Sequence, residues 1–241
     1  MEQPVAAIAR STVSAGVADR LITAIAVGMY SPGERLPPER EIAQMFSVSR
    51  VTVREALRQV IELGLVTARR GRDGGTFVTK VSWEEIAPET ARRTLEIELP
   101  RLHDLYDYRC MVEGMIARAA AERRTADDIV ELTKALKEFR NATEMAGARQ
   151  LDRRLHGLVS RAAHNRYLSS LSAQLTAEAT LGFGAEPYTE QFFTQALGEH
   201  DELIRHVVHG DADAANRSAQ THFRMTVELM KAGLTRASGR S

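Results

Sequence analysis

Residues 36–58 read Leu-Pro-Pro-Glu-Arg-Glu-Ile-Ala-Gln-Met-Phe-Ser-Val-Ser-Arg-Val-Thr-Val-Arg-Glu-Ala-Leu-Arg and predict two short helices joined by a tight turn. Proline cannot occupy a helix interior but suits the first turn, so the first helix is expected to begin near Pro38 and to run to Phe46. Residues 47–49 form the turn. Ser49 is a good N-cap for the second helix, which is expected to end at Gly64.

The second helix has two chemically distinct faces. Apolar side chains recur at helical spacing and predict a buried stripe, which consists of Val53, Ala56, Leu57, Val60 and Ile61. The opposite face carries Arg50, Thr52, Arg54 and Arg58. Cationic and hydroxyl side chains at the N-terminal end of such a helix can read base edges in the major groove of DNA. The alternative is an ordinary helical hairpin with a solvated basic face.

The flanking segments favour the first interpretation. Upstream, an amphipathic pattern predicts a helix that ends at Gly28, with an apolar face of Val17, Leu21, Ala24 and Ile25. Downstream, residues 65–78 predict two strands around a glycine-rich turn, which makes a hairpin with arginines near its tip. A helix, a helix-turn-helix and a basic hairpin in this order predict a winged helix.

The pattern over residues 14–79 resembles the DNA-binding domain of the GntR family. The matching pieces are residues 28–37, 39–43, 48–50, 53–57, 64–66 and 74–78. The resemblance implies DNA contacts from Arg40, Ser49, Arg50, Thr52 and Arg54, and from Gly71 and Arg72 of the wing. Arg70, beside them in the hairpin turn, is added as a further cation facing phosphate. Pro38 and Val51 depart from residue types common in the family, and Val51 leaves the base preference open.

Bulk properties are consistent with a DNA-facing head on a separate body. Residues 1–80 hold 11 Lys and Arg against 8 Asp and Glu, whereas residues 81–241 hold 21 against 24. A basic head and an acidic body fit contact with phosphate at one end only. The single cysteine, Cys110, excludes an internal disulfide and suits a reducing compartment. Neither a secretion signal nor a membrane-spanning run is visible, so we expect a cytoplasmic protein.

The remaining sequence predicts a second, helical domain. The expected organisation is a winged-helix domain over residues 10–80, a linker or connecting helix over 81–100, an all-α domain over 101–233 and a tail over 234–241. Chain breaks are expected near Pro88 and Pro100 and at a Gly/Pro loop over 182–187. Helical segments are predicted near residues 102–122, 126–146, 149–163, 166–181, 190–209 and 212–233. The fold class is thus mainly α, with a bundle of six or seven helices and room for a central site.

Four ionisable residues of this bundle are predicted to face one interior. Asp152 and His156, four apart, project from one face of their helix. His200 and His222 each lie in register with the apolar stripe of their own helix. The alternative is three unrelated core histidines, but burying this many polar groups without a shared partner is costly. One carboxylate with three imidazoles suits a borderline divalent transition metal such as Zn²⁺, Ni²⁺ or Mn²⁺.

Two other histidines serve as an internal comparison. His206 and His209 fall on the far side of the helix that carries His200, because each residue advances the helix by about 100°. They are not expected to join the cluster.

This half of the chain resembles the FCD ligand-binding domain of the FadR subgroup, over about residues 100–232. The matching pieces are Tyr108-Arg109 with Glu113, Asp152 with His156, residues 199–204, residues 210–215 and His222-Phe223. The resemblance implies that Asp152, His156, His200 and His222 bind metal and that Arg109 reads the carboxylate of a ligand. Arg109 also falls on an apolar stripe where a charge needs a partner, and the alternative partner is Glu113. Asn165 and Tyr108 are further ligand-binding candidates.

The predicted function is that of a metabolite-responsive transcription regulator, and specifically a repressor. A homodimer would bind double-stranded DNA at a palindromic operator, and a small carboxylate effector would change its affinity. Two alternatives are a metal-dependent hydrolase-like domain on a DNA-binding head, and an architectural DNA-binding dimer without an effector. Because nothing near the four predicted ligands resembles a dedicated general base, we do not expect an enzyme.

Overall fold

The computed structural model describes residues 3–26, 28–71, 74–80, 88–180 and 190–237, which form nine helices and one two-stranded sheet. The chain divides into two compact units. The first contains the N-terminal helices and the sheet, and the second contains most of the residues from Pro100 to Leu229. This mainly helical architecture, with one small hairpin, confirms the predicted fold class.

Three of the described helices lie wholly within the first unit. They are α1 (Gln3–Ala26), α2 (Glu39–Met45) and α3 (Arg50–Glu62). The apolar faces of α1 and α3 pack together, with Leu21 and Val60 fully buried. Just beyond the end of α1, Gly28 adopts a φ of +83° and donates its N–H to the carbonyl of Ile25.

The turn between α2 and α3 follows the sequence prediction closely. Ser47 takes the left-handed conformation, with φ of +53°, and Ser49 caps α3 by accepting a hydrogen bond from the N–H of Thr52. Two details of the predicted faces are wrong. Ile61 is 38% exposed and Thr52 only 8% exposed. The buried face of α3 therefore includes Thr52 and excludes Ile61. The spacing of apolar residues alone cannot predict this small rotation of the helix.

The hairpin consists of β1 (Val66–Arg69) and β2 (Gly75–Val78), paired antiparallel with Val66 opposite Val78. A Cβ atom at Gly74 would lie 2.6 Å from the carbonyl oxygen of Arg69, so the turn requires glycine there. The strand β2 also pairs with the segment before α2, since the N–H of Leu36 donates to the carbonyl of Thr76. The wing is therefore tied to the start of the helix-turn-helix.

Six helices follow. They are α4 (Pro88–Arg123), α5 (Ala126–Arg140), α6 (Met145–Ala162), α7 (Arg166–Ala179), α8 (Glu190–His209) and α9 (Ala212–Ala237). Helix α5 starts with a capping box, in which Thr125 and Asp128 satisfy each other's backbone N–H groups. Within the described residues, none of the helices is both long enough and apolar enough to cross a lipid bilayer.

Three predicted helix boundaries after residue 80 are wrong. Helix α4 continues through Pro100, where proline removes one backbone hydrogen bond without ending a 36-residue helix. The segment predicted as one helix over 126–146 divides, because α5 ends at Arg140 and α6 begins at Met145. Helix α9 continues to Ala237, into the predicted tail. Residues 81–87 and the predicted loop over 182–187 lie outside the described residues.

A continuous apolar core fills the second unit. It draws on α4 through α9 and includes the fully buried Ile116, Leu132, Leu155 and Val207. A second apolar cluster consists of Phe139, Ala148, Phe192, Ala196 and Met225. The ring of Phe139 lies edge-on to His200, with 4.7 Å between the ring centroids. The polar cluster described next is therefore seated against apolar walls.

Candidate metal centre and DNA-binding surface

Three imidazoles and one carboxylate meet inside the second unit. Asp152 and His156 lie one turn apart on α6, His200 projects from α8 and His222 from α9. The Nε2 atom of His156 lies 2.9 Å from Nε2 of His200 and 3.0 Å from Nε2 of His222. Oδ1 of Asp152 lies 3.3 Å from Nε2 of His200. The four residues predicted to share one interior therefore lie together, while metal binding itself stays a prediction.

A carboxylate outside the cluster orients one of the imidazoles. Oε2 of Glu199 lies 3.0 Å from Nδ1 of His222, and the Glu199 side chain is only 18% exposed. A proton on Nδ1, donated to Glu199, leaves the lone pair of Nε2 directed at the cluster. Metal-binding histidines usually have a partner of this kind on their second ring nitrogen.

Burial keeps two of the imidazoles neutral. The pKa of His156 lies well below its usual value because burial disfavours the cation, with further contributions from the charges of His222 and Arg109. Burial likewise lowers the pKa of His200 far below its usual value, helped by His222 and His156. Neutral imidazole is the form that coordinates metal ions.

The donor set fits a divalent transition ion. A neutral ring nitrogen carries either one N–H or one lone pair, so Nε2 of His156 cannot form good hydrogen bonds to both His200 and His222. A shared cation satisfies all three nitrogens at once. Three donor pairs lie 2.9–3.3 Å apart, and all four donors lie within 4.8 Å of one another. Neighbouring ligands that each lie ~2.1 Å from one ion are ~3.0–3.4 Å apart, so the spacing is close to that of a shared ion.

A cavity of about 200 Å³ opens beside the cluster, between α6 and α7. Asp152, His156 and Ser160 of α6 line one side, and the hydroxyl-bearing Ser169, Ser172 and Thr176 of α7 line the other. Pockets for drug-sized ligands hold roughly 300–1,000 Å³, so this cavity suits a smaller metabolite.

Arg109 contacts Thr176, one of the residues that line this cavity. Arg109 is 0% exposed, and its Nη2 donates to Oγ1 of Thr176 at 3.2 Å. Its guanidinium carbon lies 4.6 Å from the ring centroid of Phe223, the residue that follows His222. The predicted ligand-reading arginine thus lies beside the predicted metal ligands. Its alternative partner, Glu113, accepts a 2.7 Å hydrogen bond from Ser172.

Two predicted ligand-binding residues lie elsewhere. Tyr108 is 45% exposed, because it precedes Arg109 by one position and so points to another side of α4. Asn165 is the N-cap of α7, where its Oδ1 accepts from the N–H groups of Tyr167 and Leu168. Neither residue is among those that line the cavity beside the cluster, and a role in ligand binding stays a prediction for both.

The first unit presents its arginines at the starts of α2 and α3. Arg40, Arg50 and Arg54 are exposed, and Arg50 shares a groove with Arg40 and Arg69 between the helix starts and the hairpin. Glu39 lies among them and forms two hydrogen bonds to Arg54, of 3.1 and 2.8 Å. This surface carries the side chains that a major-groove reader needs.

The other predicted DNA contacts differ in their surroundings. Ser49 is exposed, and its hydroxyl lies 2.8 Å from that of Thr52, which is buried, so both hydroxyls belong to the cap of α3. Arg70 and Gly71 are exposed in the hairpin turn. Arg72 lies outside the described residues.

Sequence reasoning did not assign three residues that complete these sites. Glu199 orients His222, Glu39 orients Arg54, and Thr176 contacts Arg109. Glu199 immediately precedes the predicted ligand His200, and this adjacency was the one sign in the sequence that could have pointed to it. Glu39 and Thr176 are brought to their partners by packing between helices, for which the sequence carries no local sign.

A winged helix-turn-helix head, in one chain with a helical domain that contains a buried polar site and a cavity, defines a class of DNA-binding transcription regulators. The model of the family "Bacterial regulatory proteins, gntR family" matches residues 13–78, and that of the FCD domain matches residues 104–225. The chain belongs to the GntR family and carries its FCD domain, an architecture that fits the FadR-like subgroup.

Two relatives found by sequence agree with this assignment. The galactonate operon transcriptional repressor of Escherichia coli K12 is 31% identical over 209 residues, which cover 85% of this chain and 90% of the relative. The Uxu operon transcriptional regulator of the same organism is 32% identical over 202 residues, which cover 80% and 77%. The solved structure of Streptococcus agalactiae GntR is 25% identical and covers 89% of this chain and 99% of its own, with a TM-score of 0.44. The domains and the relatives of this chain are those of transcription regulators, and none of these relatives is named as an enzyme.

Proposed function

We propose that this regulator is a metabolite-responsive repressor whose FCD domain binds a divalent transition metal and a small carboxylate. The observation that carries the proposal is the convergence of Asp152, His156, His200 and His222 beside a cavity. Thr176, one of the residues that line this cavity, contacts the buried Arg109. Repression, rather than activation, is supported by the name of the galactonate operon repressor.

The metal would be held by the three Nε2 atoms and by Asp152. When bound, the ion would supply a Lewis-acidic point for an oxygen of the effector. Glu199 holds His222 in the coordinating tautomer, and burial keeps His156 and His200 neutral. Zn²⁺, Ni²⁺ and Mn²⁺ all accept this mixture of imidazole and carboxylate ligands.

The effector would be a small carboxylate that lies in the cavity and is bound by Arg109. The planar guanidinium can bind a carboxylate through two parallel hydrogen bonds. The hydroxyls of Ser160, Ser169 and Ser172 provide further polar partners along the cavity wall. Hydroxy acids, keto acids and sugar acids belong to this chemical class.

DNA binding would use a homodimer on a palindromic operator. Arg40, Arg50 and Arg54 would enter the major groove, and Arg70, Gly71 and Arg72 would lie against phosphate or the minor groove. Ser49 and Thr52 would act by capping α3 and so fixing the angle of its first turn. A tenfold change in operator affinity on effector binding needs only ~1.4 kcal/mol of coupling.

Elemental analysis of the purified protein, combined with variants, tests the metal site. We expect about one divalent ion per chain, lost on chelation and absent from the folded His200→Ala/His222→Ala protein. His206→Ala and His209→Ala are matched controls, because these histidines lie on the same helix as His200 but outside the cluster. Wild-type metal content in the folded double variant would refute the site.

The two alternative functions make different predictions. A hydrolase-like domain would turn over small carboxylate esters or amides, in a metal-dependent reaction that His200→Ala abolishes. An architectural protein would bind its operator with the same affinity whatever metabolite is added. We expect neither result.

A further inference from the structure

One carboxylate of α2 contacts two arginines of α3. Oε1 and Oε2 of Glu39 lie 3.1 Å from Nε and 2.8 Å from Nη2 of Arg54. The same Oε2 lies 3.8 Å from Nη2 of Arg50, which is an ion pair too long for a hydrogen bond. The side chains of Arg54 and Arg50 are 65% and 63% exposed, so the guanidinium groups remain accessible to DNA.

The pair formed by Glu39 and Arg54 leaves a defined part of the guanidinium for other partners. Arginine has five N–H donors, one on Nε and two on each Nη atom. The contact with Glu39 occupies the edge formed by Nε and Nη2. The end formed by Nη1 and Nη2 is the edge that can bind O6 and N7 of guanine together.

We propose that Glu39 is a positioning residue for base reading. Glu39 holds the Nε/Nη2 edge of Arg54, so that the Nη1/Nη2 edge of the same guanidinium points to guanine. The proposal rests on the proposed contact between α3 and DNA. Arg50 lacks the paired hydrogen bonds and so is less constrained. Arg54, rather than Arg50, is therefore the arginine whose base preference depends on Glu39.

The same carboxylate would weaken contact with phosphate. Hydrogen bonding from Arg54 holds the pKa of Glu39 below its usual value, so the group is ionised at neutral pH. A negative charge beside two exposed arginines lowers the local attraction for any DNA sequence, which is mainly electrostatic. Glu39 thus raises specificity in two ways, since it favours the correct base and reduces sequence-independent binding.

The test compares the full-length Glu39→Gln protein with wild type on two duplexes. One is the duplex that wild type selects from a randomised library, and the other is a scrambled duplex of the same length. Glutamine keeps the size of the side chain but cannot accept both hydrogen bonds from Arg54. Affinity for the selected duplex is expected to fall about tenfold, as for loss of one good bidentate base contact, while affinity for the scrambled duplex is unchanged or rises.

Glu41→Gln is the matched control. Glu41 is exposed in the first turn of the same helix, so its substitution removes the same charge near the same helix end. It should leave the ratio of the two affinities at the wild-type value. When the selection from the randomised library is repeated with the Glu39→Gln protein, the preference for guanine should be lost at one position in each half-site. In an Arg54→Ala background, adding Glu39→Gln should cause no further loss of that preference.

Three results would overturn the proposal. An equal rise on both duplexes would make Glu39 a simple electrostatic brake, and an equal fall would make it a structural residue of α2. Wild-type affinity for both duplexes would remove any role in DNA binding. If wild type selects no sequence at all, it is the proposed operator binding that fails, and this outcome is visible before any variant is made.

Discussion

Replacing Glu199 should weaken the proposed metal binding without changing any of the four proposed ligands. Oε2 of Glu199 lies 3.0 Å from Nδ1 of His222, in a position only 18% exposed, so water competes poorly for this hydrogen bond. Its other oxygen accepts from Gln195 at 2.8 Å, which holds the carboxylate in place. Partners of this kind typically contribute 10–100-fold to metal affinity.

The size of the effect depends on the substitution. Glutamine can still accept the Nδ1 proton but removes the negative charge, so Glu199→Gln should lie near the tenfold end of that range. Alanine removes the acceptor as well, so Glu199→Ala should approach 100-fold. At a free metal concentration of 100 times the wild-type Kd, stabilisation by metal would fall from ~2.7 to ~1.4 kcal/mol for glutamine and to ~0.4 kcal/mol for alanine.

Competition with a chromophoric chelator, for Zn²⁺ and Mn²⁺ in turn, measures these Kd values directly. Glu202→Gln is the control, because Glu202 is an exposed glutamate three residues further along the same helix. The difference in Tm between metal-bound and metal-free protein should shrink by about 3–9 °C in the Glu199 variants. Wild-type Kd values in both folded Glu199 variants would refute the assigned role of this carboxylate.

Further predictions concern pH, effector and DNA. Because burial lowers the pKa of His156 and His200 in the folded state, the unfolded chain binds more protons below pH ~6.5. The free energy of unfolding of metal-free protein should therefore be level above that pH and fall below it by up to ~2.7 kcal/mol per pH unit. Urea titrations at pH 7.5 and 5.5 measure this loss, and equal values would contradict it. Arg109→Ala should retain metal and basal operator affinity but lose the response to a carboxylate effector, and an operator titration with a wild-type response would return Arg109 to a structural role. Arg54→Ala should cost ~1–3 kcal/mol on the selected duplex, measured by fluorescence anisotropy, and wild-type binding would exclude a base contact. Arg70→Ala should weaken binding to all sequences and reduce the slope of log affinity against log salt by ~1, so an unchanged slope would remove it from the wing contacts.

The sequence by itself determined the elements whose signals are local. Proline at a helix start, a serine cap and apolar residues at helical spacing require only neighbouring residues, so α2, its turn and α3 were predicted nearly to the residue. The four-residue cluster was also accessible, because Asp152 and His156 share one helix face and His200 and His222 each lie on an apolar stripe. Helical period alone places such side chains towards a core.

The tertiary structure decided what depends on contacts between distant segments. Whether a helix ends at a proline depends on the packing that supports it, and α4 continues through Pro100. Asn165 could be a pocket residue or a cap, and only the positions of its neighbours made it the cap of α7. The contact of Glu39 with Arg54 joins residues 15 positions apart, and that of Arg109 with Thr176 joins residues 67 apart. Such pairs leave no periodic trace in the sequence, because their geometry exists only once the helices have packed.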